Sequence, residues 1–279
     1  MSTRLGWLDK AKAELIYWLK DTGDLLMGRR DPLIPPRRLM FDGPRDVALF
    51  RQNGQEFMDY YLNLAHLGPD ETMLDIGCGI GRKTIPLLTY LHGEGRYAGF
   101  DINRMGIDWC REHITAQLPN FQFTHVDVYN RRYNPQGQLQ AAALRFPYPD
   151  QTFDFAVAAS VFTHMFAPEV AHYLAEAARV LKPGGRCLFS FFLLDQAALD
   201  RLTSPAATFH FPYDQGEWRV ENPQQPEDAV AYPESTIAGL YRDAGLHIRQ
   251  IYYGMWSGRP DHVSFQDLIL AEKPLSEPG

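Results

Sequence analysis

The 279-residue sequence has few of the features that mark several common classes of protein. Its three cysteines, Cys78, Cys110 and Cys187, are widely spaced and form no CxxC pair, so we expect neither a disulfide framework nor a bound metal. No apolar run is long enough to span a bilayer, and no signal peptide is visible. Basic residues number 27 against 34 acidic ones, a net charge of −7 that disfavours nucleic acid as a partner. These absences predict a soluble, cytoplasmic protein.

The N-terminal region differs from the rest of the chain in charge and pattern. Residues 5–26 carry apolar side chains at three- and four-residue steps and predict an amphipathic helix, and residues 31–44 hold four prolines and predict an irregular strap. The first 53 residues hold ten basic and seven acidic side chains, and a basic amphipathic helix can lie on a membrane surface. We favour the alternative, a helix packed on the domain or over its pocket, and expect no stable membrane insertion.

From residue 70 onward, short apolar runs alternate with helical periods, which is typical of βαβ units. The last two strand candidates follow one another directly, so one should run antiparallel to the rest. We predict an α/β fold with a doubly wound, mostly parallel seven-stranded sheet and an antiparallel strand near the C-terminus. Residues 1–55 would form a helical extension and strap. Residues 56–279 would form the main domain, with a lid insertion around 194–232. The predicted strands are 72–76, 97–101, 121–126, 153–159, 186–192, 247–256 and 264–273.

The strongest local signal is a glycine-rich loop that follows the first predicted strand. Gly77, Gly79 and Gly81 let the backbone turn sharply and let a ligand approach closely. Asp101 ends the next strand, where a doubly wound fold places a carboxylate that binds a ribose. A dinucleotide-binding loop would need a third glycine at the position of Arg82, so that fingerprint fails.

The sequence DIGCGIG at residues 75–81 resembles motif I of the class I S-adenosylmethionine-dependent methyltransferases. Four further motifs follow in the family's order: FDIN, HVDVYN, FDFAVAAS with VFTHM, and RVLKPGG. The resemblance covers residues 57–273 and implies that S-adenosyl-L-methionine is the cofactor. It also implies an enzyme, a methyltransferase of the Rossmann-like type.

The resemblance further implies which residues contact the cofactor. The glycine loop would run under its methionine portion and ribose, and Asp101 would hold the ribose hydroxyls. The remaining residues match positions that contact the adenine, anchor the loop and the amino end of the cofactor, or face the transferable methyl group. They are Ile102, Asp127 and Val128 for the adenine, Asp75 for the anchor, and Ser160 for the methyl group. Asp127 could instead be a helix cap.

The methyl acceptor is less clear from the sequence. His164 follows the fourth strand, at the edge of the sheet where sites of open α/β folds lie, and a neutral imidazole there could act as a general base. It could equally pack or cap the following helix. The sequence after the fourth strand lacks the [DNS]PPY pattern of methyltransferases that act on nucleic-acid bases.

Two segments could select the acceptor. They are residues 130–146 and the aromatic lid 194–232, whose side chains could close a pocket or form a small core of their own. We predict O-methylation of a small molecule, such as a specialised metabolite or a sugar-containing intermediate. N- or C-methylation of another small metabolite is an alternative, and a non-catalytic, cofactor-binding partner protein is a second. The sequence makes no prediction of oligomeric state.

Overall fold

A seven-stranded, mostly parallel sheet forms the centre of the computed structural model, which describes residues 7–275. Its strands run in the order β10-β11-β5-β4-β1-β2-β3, and β11 is antiparallel to both of its neighbours. This confirms the predicted fold and the antiparallel strand near the C-terminus. The seven strands are β1 (Thr72–Ile76), β2 (Arg96–Asp101), β3 (Phe121–His125), β4 (Phe153–Ala158), β5 (Leu181–Phe191), β10 (His247–Tyr252) and β11 (Asp267–Glu272).

Both faces of this sheet are buried, as expected for strands that read as continuous apolar runs. Along β4, Phe155 and Val157 pack into a core on one face, and Ala156 and Ala158 pack into a core on the other. Successive side chains of a strand point to opposite faces, so the apolar run from residue 153 supplies both cores at once.

In the part of the chain that the structure describes, six α-helices accompany the sheet. They are α1 (Trp7–Leu26), α2 (Val47–Asn63), α3 (Arg104–Cys110), α4 (Ala167–Val180), α5 (Gln196–Leu199) and α6 (Glu234–Asp243). Residues of α2, α3, α4 and α6 pack into the two cores of the sheet. The apolar pattern after the glycine loop predicts an α-helix over residues 83–91, but the structure has a short 3₁₀ turn there, Ile85–Thr89. Its hydrogen bonds join residues three apart, as from Leu87 N to Thr84 O, and Pro86 lacks a donor. None of the helices described has the length and apolar character needed to cross a bilayer.

Helix α2 crosses the domain boundary that the sequence suggested between residues 55 and 56. Its first turn is capped by Asp46, whose side chain accepts from Leu49 N, and Phe50 and Tyr61 are fully buried. Both rings belong to the same core as Met73 of β1. The helix thus continues across this boundary, and the division of the chain between residues 55 and 56 stays a prediction. Residues 1–6 lie outside the described part.

The predicted lid forms a small second sheet. Its strands run in the order β6-β9-β8-β7 and are β6 (Leu193–Leu194), β7 (Tyr213–Asp214), β8 (Arg219–Val220) and β9 (Val230–Pro233). Phe192, Phe209, Phe211 and Trp256 pack together in a separate apolar cluster. Of the lid aromatics, Phe209 and Phe211 thus join a small separate core, whereas Tyr232 is buried in the core of the main sheet.

Asp267, at the start of β11, connects this lid to the main sheet. Its carboxylate is buried and accepts from Leu193 N, Gly254 N and the Trp256 indole Nε1, each at 2.7 Å. Each donor would be left without a partner if the carboxylate were removed, and an unpaired buried polar group costs about 1–3 kcal/mol.

We therefore expect Asp267→Ala to lower the free energy of unfolding by about 3 kcal/mol, measured by urea denaturation near neutral pH. Glu272→Ala on the same strand is the control. Glu272 pairs with the half-exposed Arg249, so its loss should cost under about 1 kcal/mol. Equal losses for the two variants would contradict this role of Asp267.

Candidate active site

A cavity of about 680 Å³ opens at the carboxyl ends of β1, β2 and β4. This is where the strand order reverses, because the chain builds β1-β2-β3 in one direction and then returns to place β4 on the other side of β1. Seven of the predicted site residues line the cavity: Gly77, Gly79, Asp101, Ile102, Val128, Ser160 and His164. Asp75, Gly81 and Asp127 do not line it.

The glycine loop presents bare backbone to this cavity. Gly77 and Gly79 have φ values of +74° and +59°, which side chains rarely allow. A Cβ on Gly77 would lie 2.5 Å from a methyl carbon of Val161, and one on Gly79 would clash with the Asp42 carboxylate. Gly81 has a different task, because a Cβ there would lie 3.2 Å from the Cys110 sulfur of α3. It allows close packing of the loop against that helix.

Asp101 holds the loop in place. Its Oδ2 accepts from Gly79 N at 2.8 Å, and its Oδ1 accepts from Asn103 N at 2.7 Å. Burial raises the pKa of Asp101 to about 6, although these two backbone donors oppose the shift. The carboxylate lines the cavity and thus combines a structural role with access to a ligand.

Asp75 and Asp127 make contacts within the protein. Asp75 is completely buried, accepts from the Tyr97 hydroxyl at 2.9 Å and has one oxygen without a partner. Asp127 accepts from the Asn134 side chain at 3.1 Å, and its carbonyl oxygen accepts from Leu139 N at 3.0 Å. It thereby closes the turn that follows β3. Their assignment to the cofactor stays a prediction.

Ser160 lines the cavity just after the end of β4, and its backbone has a strained conformation. Its φ of +58° is unusual for a residue with a side chain and is held by two hydrogen bonds. Ser160 N donates to the Ser190 hydroxyl at 2.8 Å, and its own hydroxyl donates to Gln266 at 3.1 Å. Gln266 lies 106 residues after Ser160 in the chain, so nothing local in the sequence indicated this contact.

His164 lies in a 3₁₀ turn, Phe162–His164, that leads from β4 to α4. Its Nδ1 is 2.9 Å from the carbonyl oxygen of Glu227 in the lid. A carbonyl can only accept, so Nδ1 carries the proton and Nε2 keeps a free lone pair. Burial lowers the pKa of His164, and the nearby Arg132 lowers it further. The imidazole is therefore neutral at physiological pH.

The strap contributes cavity residues that sequence reasoning missed. Phe41, Asp42 and Gly43 all line the cavity beside the glycine loop. Arg82 holds this segment in place, because its Nη2 donates to the Asp42 carbonyl at 2.7 Å and lies 3.2 Å from the Asp42 carboxylate. Its guanidinium also lies 4.5 Å from the centre of the Phe50 ring. An arginine directly after the glycine loop was the one available signal, but it does not identify a partner forty residues away.

Of the two predicted selectivity segments, residues 130–146 contribute more to the cavity. Arg132 and Tyr133 line it, and the Tyr133 ring lies edge-on to His164 at 6.5 Å. The lid reaches it through Glu227, whose carbonyl also holds His164. The ring of His210, in the lid, forms a hydrogen bond with the carbonyl oxygen of Leu202 and does not line the cavity.

Comparison with known proteins agrees with this geometry. Residues 74–189 match the family described as "Methyltransferase domain", which spans β1 to β5 and the whole glycine loop. This segment is therefore a methyltransferase domain of the class I, S-adenosylmethionine-dependent type, as the motifs indicated. S-adenosylmethionine is the cofactor of that family.

Two curated relatives match over about half of this chain. One is the phthiotriol/phenolphthiotriol dimycocerosates methyltransferase 1 of Mycobacterium ulcerans, 32% identical over 53% of this chain and 49% of its own length. The other is the 27-O-demethylrifamycin SV methyltransferase of Amycolatopsis mediterranei, 32% identical over 53% of this chain and 48% of its own length. The chain thus spans about half the length of the curated relatives it matches.

A solved structure covers nearly the whole chain. It is the 1,6-didemethyltoxoflavin-N1-methyltransferase of Burkholderia thailandensis, with bound 1,6-didemethyltoxoflavin and S-adenosylhomocysteine. It is 18% identical, covers 98% of this chain and 93% of its own, and has a TM-score of 0.51. At this level of identity the likeness concerns the fold.

The residues of the cavity fit the family's cofactor. The backbone of Gly77 and Gly79 forms a cradle that a Cβ would fill, and Asp101 offers a half-buried carboxylate at the end of the neighbouring strand. The apolar side chains of Ile102 and Val128 line the same cavity and suit a flat base.

Gly79→Ala tests the cradle. The added Cβ would displace Asp42, so we expect the affinity for S-adenosylhomocysteine, measured by calorimetry, to fall by at least about tenfold. Gly245→Ala is the matched control. Gly245 has a φ of +75° with nothing within 4 Å of an added Cβ, so it introduces similar backbone strain without a clash. A Gly79→Ala protein with unchanged affinity would show that the loop does not cradle this ligand.

Proposed function

We propose that this chain, which carries a class I S-adenosylmethionine-dependent methyltransferase domain, transfers a methyl group to a hydroxyl oxygen of a small molecule. When bound, the cofactor supplies the activated methyl group. The protein binds and orients both reactants and receives the proton that the hydroxyl loses. Alignment alone accelerates such a displacement greatly, and a positioned base adds about 10²–10⁴-fold.

The cavity residues divide between these tasks. Asp101 would accept from the ribose hydroxyls, since each of its oxygens retains a lone pair beyond the backbone donor that it already holds. Ile102 would pack against the adenine, and Val128 would contact its edge. Ser160 would border the reacting centre, where its strained backbone is held by Ser190 and Gln266.

The observation that carries the hydroxyl acceptor is the state of His164. It lines the cavity, its Nδ1–H is used by the Glu227 carbonyl, and its lowered pKa keeps Nε2 free of a proton. A neutral imidazole with one free lone pair is what a general base for an alcohol requires. A neutral amine acceptor already carries the lone pair that attacks and would have less need of a base.

The relatives support the same chemistry. The Amycolatopsis protein is named for methylation at an oxygen, and both curated relatives are named for small-molecule substrates. N- or C-methylation remains the alternative, and a cofactor-binding protein without catalysis is a second. Turnover of labelled S-adenosylmethionine with any small acceptor would exclude a cofactor-binding protein without catalysis. The His164 variant described below tests the hydroxyl acceptor against the alternative acceptors.

The ionisation of Asp101 should control cofactor affinity. In the protein without ligand, the Asp101 carboxyl group has a pKa of about 6, so it is mostly protonated at pH 5 and accepts fewer hydrogen bonds. We expect the dissociation constant for S-adenosylhomocysteine to be flat above pH 7 and to rise about tenfold by pH 5. In Asp101→Asn, the affinity should be weaker at pH 7.5 and its pH dependence should disappear. The same slope in both proteins would exclude Asp101 as its source.

His164→Asn should lower turnover by about 10²–10⁴-fold at saturating cofactor, measured by transfer of a labelled methyl group to a hydroxylated acceptor found by screening. The Asn amide can still donate to Glu227, so the local structure should survive. The wild-type rate should fall with acidity through a pKa below the ordinary 6.5 of histidine, because protonation removes the base.

Cofactor affinity of His164→Asn should stay near that of the wild type, which serves as the internal control. If the variant kept near-full turnover with this acceptor, His164 would be structural and would not take the proton of the hydroxyl.

A further inference from the structure

Helix α1 exposes the apolar side of its sequence. Its largest apolar residues are between 49% and 82% exposed, although they recur at three- to seven-residue steps along one side of the helix; they are Leu15, Trp18, Leu19, Leu25 and Leu26. A surface helix of a globular protein normally turns such a stripe inward. These side chains therefore do not form the contact through which α1 packs on the rest of the chain.

The polar side of α1 faces the protein instead. Asp21 and Asp24 accept from the Arg37 guanidinium at 3.0 and 2.8 Å, and Arg37 is only 14% exposed. Glu14 forms an ion pair with Arg45, whose guanidinium also lies over the Tyr17 ring. Arg37 of the strap and Arg45 directly after it thus pair with three acidic residues of the helix and fix which side points outward.

The unpaired charge on the outside of α1 is mainly basic, although Asp9 of the same helix is exposed as well. Lys12, Lys20 and Arg30 are exposed, and none of them lies within ion-pair distance of a carboxylate in the part of the chain that the structure describes. This contrasts with the net charge of −7 for the whole chain. An apolar stripe that carries a tryptophan and is bordered by unpaired basic side chains matches the surface of an anionic bilayer.

We propose that the outer face of α1 docks reversibly on an anionic lipid surface. A second copy of the chain would bring the same basic side chains against one another, whereas anionic headgroups would neutralise them. The strap that binds α1 through Arg37 and Arg45 also supplies Phe41 and Asp42 to the cavity. Because α1 binds the strap with its inward side, the helix would then lie between the lipid and the strap. This docking does not depend on the chemistry proposed for the cavity.

The test is sedimentation of the full chain with vesicles. We expect binding to vesicles of phosphatidylcholine and phosphatidylglycerol, little binding to phosphatidylcholine alone, and release by high salt. The double variant Leu15→Glu and Leu19→Glu should reduce the bound fraction at least about tenfold. Lys12→Gln with Lys20→Gln should weaken binding to the anionic vesicles and shift the salt dependence.

Leu199→Glu in α5 is the matched control, since Leu199 is 37% exposed on a helix outside this face. It should bind vesicles as the wild type does, with circular dichroism showing that all variants fold. Absence of wild-type binding to anionic vesicles would overturn the proposal. So would a concentration-dependent dimer that occurs without lipid and is lost in the double variant, because a second copy would then cover the face.

Discussion

The hydrogen bond from Gly79 N to the Asp101 carboxylate is the contact on which the site depends. It joins the loop after β1 to the end of β2, and the other carboxylate oxygen fixes the backbone at Asn103. With one residue holding both strand ends, the loop can keep the left-handed conformations that leave its backbone free of side chains. The same burial that makes this contact strong also raises the pKa of Asp101. The conformation of the loop and the affinity for the ligand therefore both depend on this one ionisable group.

The strap adds residues to this site beyond those at the edge of the sheet. Asp42 lies over Gly79, Arg82 binds Asp42, and Phe50 of α2 packs against the Arg82 guanidinium. Through Arg37 the same strap fixes α1 with its polar side inward. The N-terminal segment therefore forms a wall of the cavity and also supports an exposed apolar face. It connects the ligand-binding cavity to the outer face of α1 that we propose as a docking surface.

The central strands and the cavity residues at their ends could be predicted because their signals are local. β1 occupies the predicted residues 72–76, and Asp101 ends β2 as the spacing indicated. Contacts across long separations could not be predicted. The periodicity of α1 shows that one side is apolar, but Arg37 and Arg45 decide which side faces the protein. Asp127 was matched by motif, yet its side chain is used by Asn134.

The most direct test of the account is a crystal structure of the full chain with S-adenosylhomocysteine. The account predicts both ribose hydroxyls within hydrogen-bond distance of Asp101, the ligand over the bare backbone of Gly77 and Gly79, and its sulfur on the side of the cavity where His164 and Ser160 lie. A ligand bound elsewhere, or one in this cavity with Asp101 contacting protein groups alone, would contradict it.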